Sequence, residues 1–139
     1  MANSFKWAIF DLGTNPSPAY AKGRVCLLGD AAHATSPHHG AAAGMCIENA
    51  AMLSELLADK RIKRYSDVEQ AFAVYDKMRR PRGEWLVQSS RFMGDCWDLR
   101  QPDFQNFPEI EAEILRRNAI IHDVDVKQMC EDARAELEI

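Results

Sequence analysis

The sequence predicts an α+β fold dominated by helix, with two short strands followed by four or five helices. Three observations carry this. Aromatic and apolar residues alternate with period two only near the N-terminus, a short apolar run ends at Gly29-Asp30, and from Gly44 onward apolar residues recur every three or four positions. The chain has 139 residues, which fits a single domain over 1–139. At this size roughly two-thirds of the unfolded surface can be buried.

Phe5 to Leu12 reads as the first strand, because Phe5, Trp7 and Ile9 alternate with Lys6 and Ala8. Gly13 to Pro18 is a loop by composition. Val25-Cys26-Leu27-Leu28 is the second strand, and its continuous apolar character predicts cover on both faces. Met45, Ala50, Leu53, Leu56 and Leu57 fall on one side of a helix ending near Ala58. Ser66-Asp67-Val68-Glu69 matches a capping box that opens a long helix carrying Phe72, Tyr75 and Met78. Pro81 is expected to kink or restart it, and Leu86, Phe92 and Met93 continue its apolar face toward Trp97. Asn106-Phe107-Pro108-Glu109 reads as another helix start, and a last amphipathic helix fits Val126 to Leu137.

Composition excludes several classes. A hydrophobic fraction of 47% with 27% charged residues is that of a globular chain, not a disordered one. No apolar run approaches the ~18 residues of a membrane span. Met1 to Lys6 lacks the basic-then-apolar pattern of a secretory signal, so a cytoplasmic setting is expected. A net charge of −4 does not fit a nucleic-acid binder. The dense basic run Lys77 to Arg82 reads as a solvated helix face or an internal ion-pair site, and Arg80 and Arg82 as partners of helix-borne Glu or of a substrate carboxylate. Cys26, Cys46, Cys96 and Cys130 lie far apart and read as reduced thiols acting as small hydrophobes.

One stretch carries chemistry: Gly23 to His33, then Ser36-Pro37-His38-His39-Gly40-Ala41-Ala42-Ala43-Gly44. A carboxylate at a strand's C-terminal end, Asp30, faces the crevice where open α/β sheets bind ligands, and it can accept from sugar-type hydroxyls. The small residues after it let a ligand approach backbone and lead into a helix N-terminus, whose free N–H groups favour electron-rich oxygen. The same pattern also fits a tightly packed strand–loop–helix connection.

This string resembles the flavin-contacting motif of the FAD-dependent aromatic-ring monooxygenases, most closely their salicylate-hydroxylase-like branch. Residues 23–37 match its G-R-V-x-L-x-G-D-A-A-H-x-x-x-P pattern, and the likeness extends to Trp7-Ala8-Ile9-Phe10-Asp11-Leu12, to Glu48 through Leu53, and to the Tyr75 to Arg82 region. The resemblance implies the C-terminal part of such an FAD domain. It implies that Gly29 and Asp30 lie at the flavin, with Asp30 on the ribityl chain. Pro37, Gly40, Ala42 and Gly44 would lie against the isoalloxazine ring. The chain departs from the family at Ala42, where the turn usually has glycine, and at Asn49, where the family usually has Asp. No G-x-G-x-x-G occurs in the 139 residues, so the expected reading is a truncated member without its dinucleotide-binding unit.

Three functions follow as expectations. The leading one is a small flavin-independent enzyme on an aromatic or polyketide-like molecule, with no cofactor. Asp30, His33, His38 and His39 would supply acid–base chemistry for cyclisation, isomerisation or dehydration. For each histidine a structural role is the alternative. The second is an FAD-binding fragment that needs a partner chain. The third is a binding or assembly module, with Trp7, Phe10, Trp85, Phe92 and Trp97 as surface or core residues and a homodimer as its form. No metal site is expected, since neither C-x-x-C nor a helical H-x-x-x-H occurs.

Overall fold

The structure, a computed structural model, describes residues 5–104 and 106–139. Its regular elements are β1 (Ala21–Lys22), β2 (Val25–Cys26), α1 (Asp30–His33), α2 (Ala42–Leu57), α3 (Tyr65–Trp97), α4 (Phe107–His122) and α5 (Val126–Ala135), with a 3-10 turn at Pro37–His39 between α1 and α2. The strands pair antiparallel, Ala21 opposite Cys26 and Lys22 opposite Val25. The helix-dominated reading with two short strands therefore holds.

The strands are not where the sequence places both of them. Phe5 to Leu12 forms no strand, and Trp7 and Phe10 are 87% and 83% exposed. A strand needs a hydrogen-bonded neighbour. Among the described residues this segment is anchored toward its end, where Leu12 N–H donates to the Ala34 carbonyl at 3.0 Å and Asp11 pairs with Arg91 at 3.7 Å. The second strand is shorter than expected and not covered on both faces, since Val25 is 67% exposed. Its partner is a residue pair that composition did not mark, joined through Gly23, whose φ of 57° suits the tight two-residue turn.

The hairpin is pinned to α3. Tyr20 N–H donates to Asp76 at 2.6 Å, and the Tyr75 hydroxyl donates to the Leu27 carbonyl at 3.1 Å. A core of Tyr20, Ala32, Met52, Leu56, Ala71, Val74, Tyr75, Cys130, Ala133 and Leu137 joins α2, α3 and α5 around them. A smaller cluster, Met93, Cys96 and Ile110, joins the far end of α3 to α4. Met45, Met52 and Leu56 form the buried stripe of α2, but Leu57 and Ala50 lie outside it.

The long helix starts differently from the sequence reading. Arg64 is its N-cap, and Asp67, not Ser66 or Glu69, closes the first turn by accepting from the Lys63 and Arg64 amides at 3.0 and 2.8 Å. Nor does α3 restart at Pro81: it runs unbroken for 33 residues. The Asn106 start is as expected, its side chain accepting from Glu109 N–H at 3.0 Å. Trp97 is exposed, while Trp85 and Phe92 are half-buried. No helix among the described residues is long and apolar enough to cross a membrane.

Candidate functional site

The segment from Gly29 to Gly44 is built on α3. Gly29 turns the chain into α1 with φ of 61°, and a Cβ there would sit 3.1 Å from Cys46 Sγ, so both the conformation and the space call for glycine. Asp30 follows as the first residue of α1 and is exposed. The chain then passes Pro37, on the 3-10 turn, and reverses at Gly40, with φ of 64°, before entering α2 at Ala42. No side chain caps α2, so the N–H groups of its first turn have no partner within the helix. Cβ atoms placed on Gly40 or Gly44 would meet nothing within 4 Å. Backbone is thus bare along one side of this turn.

The histidines are held apart. His33 is fully buried, and its Nε2 meets Asn49 Nδ2 at 2.7 Å. Burial pushes its pKa below the ordinary value, and Arg79 acts the same way against Asp30 and Glu48. His38 is exposed and its Nδ1 lies 2.9 Å from Ser36 Oγ. His39 is half-buried, its Nε2 2.8 Å from Ser89 Oγ. Burial and the cation of Arg117 push His39 below its ordinary value too. Each of the three histidines is therefore engaged with a different partner, and Asp30 stands at the start of α1.

The sequence reading offered an internal ion-pair site in the basic run, with Arg82 as a partner of a helix-borne Glu, but did not single out Arg79 or Asn49 as its buried members. Arg79, 1% exposed, donates its Nε–H to Asn49 Oδ1 at 2.6 Å and an Nη–H to Glu48 at 2.7 Å. Further N–H groups of Arg79 reach the sulfurs of Met45 and Met129 at 2.9 and 3.0 Å. Arg82 also binds Glu48, through the Nε and Nη2 edge of its guanidinium, and reaches the carbonyls of Ile120 and Ile121 near the end of α4. Of the two readings of the basic run, the internal ion-pair site describes Arg79 and Arg82, while Arg80 pairs with Asp76 and Glu84 on its own helix at 3.3 and 3.4 Å. The available signal was spacing: Arg79 and Arg82, three apart, share a helix face. The four thiols are free, and burial raises each of them, Cys26 to about 11. Among the described residues no group of three or more His, Cys, Asp or Glu side chains is arranged to hold a metal ion.

The family model described as an FAD binding domain matches residues 2–90. An FAD-dependent monooxygenase of Aspergillus terreus is 46% identical over 138 residues, covering 96% of this chain and 32% of that protein. Salicylate hydroxylase asL1 of Sarocladium schorii is 38% identical, again over 96% of this chain and 32% of its own length. A solved salicylate hydroxylase substrate complex superposes with a TM-score of 0.79 at 35% identity, covering 86% of this chain and 29% of the other. The chain spans about a third of the length of the curated relatives it matches. By this family match, the chain belongs to the FAD binding domain family and is FAD-dependent-monooxygenase-like in origin.

Proposed function

We propose that this chain supplies the flavin-ring side of an FAD-dependent monooxygenase site, the remaining two-thirds of the relatives' fold being needed for hydroxylation. The observation that carries the reading is the open space beside Gly40 and Gly44, where added Cβ atoms meet nothing, on the stretch that follows the exposed carboxylate of Asp30. These residues fit a flavin. Asp30 can accept from ribityl hydroxyls, and the free N–H groups opening α2 can face the electron-rich edge of the ring. FAD, when bound, brings the redox chemistry that activates oxygen. The chain's own residues bind and orient, and the Glu48–Arg79–Arg82 ion-pair group ties α2 to α3.

The test is a titration of the 139-residue protein with FAD and with riboflavin, followed by flavin fluorescence. Because the ring and ribityl contacts are those assigned to this chain, both ligands should bind saturably and with similar affinity. Asp30→Ala should weaken both by about tenfold or more. No saturable binding of either ligand to well-folded protein overturns the reading.

One observation favours a second reading, flavin-independent acid–base chemistry on an aromatic or polyketide-like molecule. His38 borders a cavity of about 260 Å³ together with Asp11, Ser36, Arg91, Asp95 and Arg100. If a cyclisation or isomerisation substrate turns over, His38→Ala, His39→Ala or Asp30→Ala should cut turnover about a hundredfold. Losses under about threefold at all three remove this reading.

A further inference from the structure

We propose that Asn49 is a positioning residue: it holds His33 as the neutral Nδ1–H tautomer and, through it, fixes α1 against α2 and α3. Only the consequence for Asp30, at the start of α1, rests on the flavin reading above; the tautomer does not.

The assignment follows from what each atom can do. Arg79 Nε carries a proton and cannot accept, so the Asn49 atom 2.6 Å from it is the carbonyl oxygen Oδ1. That leaves the amide nitrogen Nδ2, which can only donate, 2.7 Å from His33 Nε2. His33 Nε2 must then accept, and a neutral imidazole that accepts at Nε2 carries its proton on Nδ1. Protonating Nε2 would set one N–H against another at the same contact.

The surroundings seat the ring, while its Nδ1 is buried with no hydrogen-bond partner among the described residues, so the Asn49 contact alone selects the tautomer. The groups facing His33 are Asp30 on its own helix, Glu48 beside Asn49 on α2, and Arg79 on α3. The Tyr20 ring covers it from the loop before β1, with centroids 6.2 Å apart. Gly83 of α3 completes the seat, since a Cβ there would lie 3.2 Å from both Cβ and Cδ2 of the histidine. The guanidinium of Arg79 thus orients an amide, and the amide selects a tautomer, across three separate elements. A carboxylate of the same shape would reverse the selection. With Asp at position 49 both oxygens accept, so His33 would have to present Nε2–H.

Long-range 1H–15N correlation spectra of histidine-labelled protein test this, with the His33 signal assigned by its loss in His33→Gln. In the wild type, Nε2 should appear unprotonated and Nδ1 protonated, with no titration until the pH lies below the ordinary histidine range. In Asn49→Asp, Nε2 should carry the proton and the proton affinity of His33 should rise at least tenfold. A wild-type Nε2–H signal, or an unchanged midpoint in Asn49→Asp, overturns the proposal, and the wild-type spectrum alone suffices should the variant fold poorly. The positioning half is read from amide exchange. Asn49→Leu should speed exchange at His33 and Ala34 by tenfold or more while Leu56 is unaffected, and Asn49→Asp should restore their protection. Unchanged exchange at His33 and Ala34 overturns that half. Neither readout needs flavin, so failure here and failure to bind riboflavin are separate results.

Discussion

Arg82 grips Glu48 with two parallel hydrogen bonds, Nε to Oε2 at 2.7 Å and Nη2 to Oε1 at 2.8 Å. This planar, bidentate pairing is the strong form of an ion pair. Arg79 shares the same carboxylate from within the core. One α2 side chain therefore serves two α3 cations.

Removing that carboxylate leaves Arg79 buried without its counter-charge. Glu48→Ala should lower the unfolding free energy by about 3–5 kcal/mol, read from urea titration. The pH dependence has a definite sign. Burial alone would raise the Glu48 pKa, but hydrogen bonds from Arg82 and Arg79 outweigh it and hold it below 4.5. A carboxylate depressed in the folded state stabilises fully above its unfolded value, and this is lost as pH falls through the folded one. Glu48→Gln should remove that part of the acid sensitivity.

Two glycines on α3 should respond oppositely to the same change. At Gly83 a methyl group would run into the Tyr20 hydroxyl and lie 3.2 Å from His33, both in a closed core. Gly83→Ala should therefore destabilise by about 1–3 kcal/mol despite its better helix propensity. At Gly94 the obstacle is the imidazole of exposed His38, which can swing aside. Gly94→Ala should gain up to about 1 kcal/mol. Thermal melts of the pair decide both.

Gly44 separates stability from binding. It lies in the first turns of α2, and a Cβ there meets nothing. Gly44→Ala should raise stability by up to about 1 kcal/mol while weakening riboflavin binding, because the methyl group enters the space assigned to the ring. Equal riboflavin affinity in the variant would place the ligand elsewhere.

Asp67 should dominate the acid response at the start of α3. Hydrogen bonds from the Lys63 and Arg64 amides lower its pKa from 3.8 to about 2. Its stabilisation is complete above 3.8 and disappears as pH falls toward 2. Asp67→Ala should melt at a lower temperature at neutral pH, and the two melting curves should converge by about pH 2, followed by circular dichroism.

Much of this molecule was legible in its residues, for local reasons. The Asn106 cap and the α2 and α5 helices depend on neighbours within one or two turns, which periodicity reports. Phe5 to Leu12 has the alternation of a strand, but strand formation depends on a partner far away in the chain or outside it. Val25–Cys26 did find a strand partner, in the adjacent Ala21–Lys22, but the cover expected on both faces depends on a packing layer that local sequence does not report, and Val25 stays exposed. At the site, Asp30 and the small-residue turn stand in one contiguous string and could be read directly. Asn49, Arg79 and Glu48 could not, because their meaning lies in contacts bridging about 30 residues, and nothing in a linear pattern states which face of α3 meets α2.

The unbroken course of α3 through Pro81 has a mechanical consequence. Proline offers no N–H, so the Lys77 carbonyl loses its helical donor near the middle of the rod. The residues before that point are set in the larger core, and those after it carry Ser89, with its contacts to His39 and Arg117, and the smaller cluster around Met93. The helix is a lever with its soft point between two loads. A bend of about 10° at Pro81 would carry the Trp97 end, about 24 Å further along the axis, through about 4 Å, and would drag the His39 side of the turn with it while Asp30 stays fixed to the larger core.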